Sequence, residues 1–122
     1  METDKCILVF DDDKDLLEIF RFFFEDEGWR VHTFSSCDEV LEHSRSISPD
    51  LILMDNWIPN IGGIAATQLL KNDPVLKHIP VIYVSANNDI ETLSKKAGAD
   101  GFIAKPFNFD DLLALAKKLS DR

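Results

Sequence analysis

Apolar residues along this chain fall into two rhythms: short unbroken runs, and longer stretches in which they recur every three or four positions. The unbroken runs are Cys6-Ile7-Leu8-Val9-Phe10, Leu51-Ile52-Leu53-Met54 and Val81-Ile82-Tyr83-Val84. Each is too short for a buried helix and carries no polar alternation, which predicts strands covered on both faces in the middle of a parallel sheet. Each also stops on a polar residue: Asp11, Asp55 and Ser85 in turn. Two weaker runs belong at the edges. Trp29 to Phe34 is interrupted by Arg30, His32 and Thr33, and Gly101-Phe102-Ile103-Ala104 is short and ends on Lys105-Pro106.

Helices are predicted between these runs. Asp13 suits an N-cap, with Asp15 in the first turn, and the helix runs to about Glu27 with Gly28 as its C′ residue. Its wheel puts Leu16, Ile19, Phe20, Phe23 and Phe24 inward and Glu18, Arg21 and Glu25 outward, with Phe22 stranded on the charged side. Ser36-Cys37-Asp38-Glu39 has the form of a capping box for a helix reaching about Ser46, and Asn88 with Glu91 repeats it for a helix that stops at Gly98. A loop at Asn60-Ile61-Gly62-Gly63 opens a helix from about Ile64 to Asn72, which must end before Asp73-Pro74. Asn108 and Asp111 open the last one, striped by Leu112, Leu115, Ala116 and Leu119. Five strands alternating with five helices imply an α/β doubly wound parallel sheet with right-handed crossovers. Placing the three fully apolar runs centrally gives the strand order 2-1-3-4-5, in one domain over residues 1–122.

Length and charge narrow the partners. A chain of 122 residues suits one core. Its net charge of −9 is wrong for direct nucleic-acid binding or for an anionic membrane, and favours a cation or a partner with basic patches. Cys6 and Cys37 have neither metal-ligand spacing nor the density of a secreted disulfide scaffold. With no leader-like start and no apolar stretch of membrane-spanning length, a cytoplasmic location is expected. Cys37, near a helix start, is a weak candidate for a lowered thiol pKa.

The chemistry lies in what stands at the strand ends. In open parallel sheets ligands gather at the carboxyl edge. There this sequence puts Asp11 and Asp12, Asp55, Ser85 and Lys105. Clustered carboxylates repel one another unless a cation neutralises them, and a few oxygen ligands on an open surface suit Mg2+. A carboxylate nucleophile, a metal, an ammonium and a hydroxyl are together what formation of an aspartyl phosphate needs.

These residues carry a resemblance. The Asp11-Asp12 pair after an apolar strand, Asp55 with Pro59 and Gly63 beyond it, Ser85-Ala86 and Lys105-Pro106-Phe107 together resemble a response-regulator receiver domain of bacterial two-component signalling, over about Lys5 to Leu119. The resemblance implies a flavodoxin-like (βα)5 fold, Asp55 as phosphoacceptor, Asp12 as a direct Mg2+ ligand and Asp11 acting through water. It further implies a Mg2+ contact from the Trp57 carbonyl, Lys105 on the phosphoryl group, Ser85 as switch hydroxyl coupled to Phe102, and a cis Lys105–Pro106 bond. The implied phosphodonor is a histidine kinase or histidine phosphotransfer protein, and the output a downstream partner protein or a phosphorylation-dependent dimer. Such a domain is no enzyme beyond its own phosphorylation and dephosphorylation. Two other readings compete. Asp11 and Asp13 have the Asp-x-Asp spacing of a haloacid-dehalogenase-like phosphohydrolase, and a docking module that is never phosphorylated would also keep the fold.

Overall fold

A computed structural model describes residues 5–55, 62–86 and 88–120. The elements alternate as β1 (Cys6–Phe10), α1 (Lys14–Asp26), β2 (Arg30–Phe34), α2 (Val40–Ile47), β3 (Leu51–Asp55), α3 (Gly62–Asn72), β4 (Val81–Ser85), α4 (Ile90–Ala97), β5 (Gly101–Ala104) and α5 (Phe109–Ser120). The strands form one parallel sheet in the order β2-β1-β3-β4-β5, the order expected from the polarity of the runs. β1, β3 and β4 are buried at every position, while β2 and β5 at the edges alternate with exposed residues.

Because successive strand side chains point to opposite faces, the sheet has two cores. Ile7, Val9, Leu51, Leu53, Ile82 and Val84 meet Leu17, Phe20 and Phe24 of α1 and Leu112 and Ala116 of α5. On the other face Leu8, Phe10, Ile52, Met54 and Val81 meet Val40 of α2 and Ala66 and Leu70 of α3, and Tyr83 packs with Ile90 and Ala97 of α4. Each buried Val, Leu, Ile, Met or Phe side chain among them contributes roughly 1.5–3 kcal/mol.

The structure corrects three local expectations. The buried stripe of α1 is Leu17, Phe20 and Phe24, and Ile19 is exposed. The helix is turned toward β2, where the Arg21 guanidinium donates to Val31 O at 3.2 Å and Thr33 Oγ1 at 3.1 Å. At ~100° per residue that rotation brings Leu17 in and carries Ile19 out. The capping boxes at Ser36 and Asn88 do not form. The chain stays in a turn through residue 39 and again through 89, so α2 and α4 begin at Val40 and Ile90 without a side-chain cap. α3 is already helical at Gly62, two residues before the expected start.

Other end signals hold. Asp13 Oδ1 accepts from the amides of Asp15 and Leu16, and Asn108 Oδ1 accepts from those of Asp110 and Asp111. Gly28 and Gly98 follow their helices at φ 90° and 85°, a conformation that favours glycine.

Candidate functional site

The strand register brings the expected residues to one edge. Asp55 and Ser85 are the last residues of β3 and β4 and are both buried, Asp11 follows β1 and is buried, and Asp12 beside it is exposed. Two hydrogen bonds fix Asp11: its amide donates to Phe34 O at 3.1 Å, and its Oδ1 accepts from the Asp13 amide at 3.0 Å. Lys105 follows β5. Its amide donates to Ser85 O at 2.9 Å, one bond beyond the β4–β5 pairing, and the Lys105–Pro106 bond is cis, as expected.

From there the Lys105 ammonium crosses over the end of β4. Its Nζ lies 2.8 Å from Asp55 Oδ1 and 3.5 Å from Asp11 Oδ2. One oxygen each from Asp11, Asp12 and Asp55 lie within 4.8 Å of one another. The sequence anticipated that these groups would share an edge; it gave no signal that one Lys would touch both buried carboxylates.

The electrostatics follow from burial and crowding. Burial raises the Asp11 pKa and the nearby Asp55 charge adds to it, against the opposing pull of the Asp13 amide and Lys105. For Lys105 burial alone would depress the pKa, but the hydrogen bond and charge of Asp55, then those of Asp11, outweigh it and raise the net value. Lys105 brings one positive charge to three carboxylates. That imbalance, with an all-oxygen donor set of which Asp12 is open to solvent, fits a small hard cation such as Mg2+.

Several other expectations meet the structure here. The Trp57 carbonyl lies outside the described residues. Phe102 is 40% exposed on β5, an outward aromatic rather than core. Cys37 is buried, and that burial, with the charges of Asp38 and Asp55 behind it, pushes its thiol up to about 12, opposite to the direction its place near a helix start suggested. Its Sγ sits 3.7 Å from Met54 Sδ, directly beneath the acidic edge. Asp13 caps α1 through Oδ1, and the carboxylates that come together are Asp11, Asp12 and Asp55, a set that differs from the Asp11 and Asp13 pair a phosphohydrolase would use.

Comparison with known proteins agrees with this geometry. The family model for the response regulator receiver domain matches residues 7–117. The chain is similar to the polar-differentiation response regulator DivK of Brucella ovis, 35% identical over 107 residues that cover 85% of this chain and 86% of DivK. It is 36% identical over 113 residues to the CAI-1 autoinducer sensor kinase/phosphatase CqsS of Vibrio cholerae; those residues are 90% of this chain and 16% of that protein. Among solved structures, the signal receiver domain of a signal transduction histidine kinase from Syntrophus aciditrophicus matches with a TM-score of 0.87 at 29% identity, over 95% of this chain and 89% of that one.

Proposed function

The chain belongs to the response regulator receiver domain family of two-component signalling, and on that premise we propose that it takes a phosphoryl group onto Asp55 from a histidine kinase or a histidine phosphotransfer protein. The observation that carries the reading is the Lys105–Asp55 pair at 2.8 Å inside a ring of three carboxylates. Asp11, Asp12 and Asp55 would hold Mg2+, which when bound supplies charge neutralisation at the phosphoryl oxygens.

The chain's own groups divide the remaining work. An Asp55 carboxylate oxygen attacks phosphorus, the new P–O bond forming as the donor's P–N bond breaks and its nitrogen leaves with the electron pair. Lys105, already paired with Asp55, follows the negative charge onto a phosphoryl oxygen. Ser85, two strands from Asp11 and beside Asp55 in the sheet, donates to another. The domain thus assists its own phosphorylation and the later hydrolysis, and turns over no separate substrate.

The donor's docking place is the outer side of α1. Ile19, Phe22, Phe23 and Phe109 line a shallow groove of about 460 Å3 whose rim carries Glu18 and Asp26. An apolar floor with an acidic rim complements a helical surface bearing apolar side chains and flanking Lys or Arg. A cytoplasmic setting accords with Cys6 and Cys37, both free and buried thiols. Output passes to a partner protein through a surface altered by phosphorylation.

Incubation with acetyl phosphate and Mg2+, followed by intact-mass measurement, tests the assignment. One phosphoryl group should be added to the parent chain and none to Asp55→Asn. Equal labelling of the two would overturn it.

A further inference from the structure

Lys105 reaches its two carboxylates on a flexible four-carbon stem, so its placement depends on what holds the backbone around it. On one side that is the hydrogen bond from its amide to Ser85 O. On the other side the chain leaves the sheet at once, and two residues later Phe107 is gripped by aromatic rings. The Phe107 ring lies parallel to Phe20 of α1, with an interplanar angle of 6° and centroids 5.9 Å apart. Phe109 closes the block, edge-on to Phe107 at 5.3 Å and to Phe20 at 6.0 Å, and tilted against Phe23 at 4.8 Å. Phe20 of α1 and Phe109 at the start of α5, the latter braced by Phe23, therefore clamp Phe107 and with it the segment that carries the ammonium. Phe20 itself is 1% exposed, so its ring has no solvent side into which to relax.

We propose that Phe20 and Phe109 are positioning residues for Lys105: through Phe107 they fix the segment after β5 so that the ammonium sits on Asp55. The inference rests on the reading of Asp55 as phosphoacceptor and Lys105 as its charge partner. Neither ring touches the reacting atoms. Their effect travels through two residues of backbone, over a distance at which a displacement of ~1 Å at a reacting centre can cost up to roughly a hundredfold in rate.

A displaced Lys105 leaves a signature that general loosening does not. The ammonium and a cation compete for the carboxylates of Asp55 and Asp11, so moving Lys105 away must tighten Mg2+ binding while it slows phosphoryl transfer. Loss of the site's overall order would weaken both. Phe24 supplies the matched control, being as buried as Phe20 on the same helix but packed on Phe23 and Trp29, with no ring contact to Phe107.

The experiment compares Phe20→Leu, Phe109→Leu and Phe24→Leu in the full chain. Mg2+ affinity is read from amide chemical shifts, and labelling by acetyl phosphate at saturating Mg2+ from intact mass. In Phe20→Leu and Phe109→Leu, labelling should slow about tenfold, and Mg2+ affinity should rise about fivefold, as reciprocal coupling between competing cations requires. Phe24→Leu should change neither. Should Phe20→Leu fail to fold, Phe109→Leu decides the matter, since Phe109 is only partly buried. Parent-like labelling, a joint loss of labelling and Mg2+ affinity, or the same signature from Phe24→Leu would each overturn the proposal. Absence of Asp55 labelling in the parent would instead overturn the functional reading, and the opposed change in Mg2+ affinity would still decide the role of the rings.

Discussion

Lys105 Nζ donates to Asp55 Oδ1 at 2.8 Å while standing 3.5 Å from Asp11 Oδ2, so one ammonium that starts beyond the edge strand β5 serves carboxylates on β3 and after β1. Both acids are buried, and neither can lose its partner without leaving a charge poorly solvated.

Lys105→Met should therefore destabilise the metal-free protein by ~1–3 kcal/mol, toward the lower end because the Lys105 side chain is 28% exposed and partly screened. Mg2+ should restore more stability to the variant than it adds to the parent, since it replaces the missing charge. Urea unfolding with Mg2+ and with chelator measures both. An equal Mg2+ increment in the two proteins would show that Lys105 and the cation do not share the carboxylates.

Alkaline titration reads the core beneath the site. Tyr83 is the chain's only tyrosine, and burial, with the Asp55 charge adding to it, raises its pKa to about 12. A raised folded-state value means that its contribution to stability is intact below the ordinary tyrosine pKa near 10 and is lost as pH climbs toward 12. Cys37, pushed to about 12 by burial first, acts in the same direction above the ordinary thiol value of 9.0. Tyrosinate absorbance and far-UV circular dichroism should thus change together above pH 10, with thiol reagents reacting only over the same interval. A tyrosinate step near pH 10 in a protein that keeps its circular dichroism would contradict the placement of Tyr83.

How much of this was readable beforehand depended on whether the cause was local. The three central strands and the acids that end them were legible because an unbroken apolar run needs burial on both faces, and a carboxylate that follows must sit at the rim. Asp13 and Asn108 read correctly as caps since the amides they satisfy lie two and three residues away. Ser36 and Asn88 misled because the same motif can close a turn without starting a helix. The rotation of α1 was hidden in Arg21, a charged residue that looks solvent-facing in sequence but bonds to Val31 and Thr33 of β2. Cys37 misled for a related reason: nearness to a helix start suggests an acidic thiol, whereas its burial against Met54 depends on residues far along the chain.

Phe22 is 76% exposed, an aromatic with no folding role that the core explains. If the groove on α1 receives the phosphodonor, Phe22→Ala should slow transfer from the cognate donor about tenfold or more, the loss typical of a buried aromatic anchor at an interface. Labelling by acetyl phosphate, which needs no docking, should be unchanged. Stability should also hold within about 0.5 kcal/mol, as for surface changes in general. Equal slowing with both donors would place the defect in packing rather than docking.

Ser85 and Phe102 give the last prediction, which concerns how the phosphate is reported to a partner. The β4–β5 register pairs Tyr83 with Phe102 and Ser85 with Ala104, so Ser85, Tyr83, Phe102 and Ala104 all point to the face covered by α4. Tyr83 is wholly buried there, whereas Phe102 remains 40% exposed beside it. A phosphoryl group on Asp55 brings about two negative charges and new acceptor oxygens. Ser85, adjacent to β3 in the sheet, can donate to one of them by moving toward the site, and that movement opens room on the α4 face into which the Phe102 ring can turn. A hydrogen bond to a charged group is worth roughly 1.5–3 kcal/mol, enough to shift a nearly balanced equilibrium more than tenfold. Ser85→Ala should accept phosphate on Asp55 yet lose most of the beryllofluoride-induced chemical-shift change at Phe102. Phe102→Ala should bind beryllofluoride normally but abolish the difference in partner affinity between the two states. If Ser85→Ala switches as fully as the parent, the hydroxyl is not the link, and the Lys105 segment with its clamp of rings becomes the route by which the surface learns that Asp55 is charged.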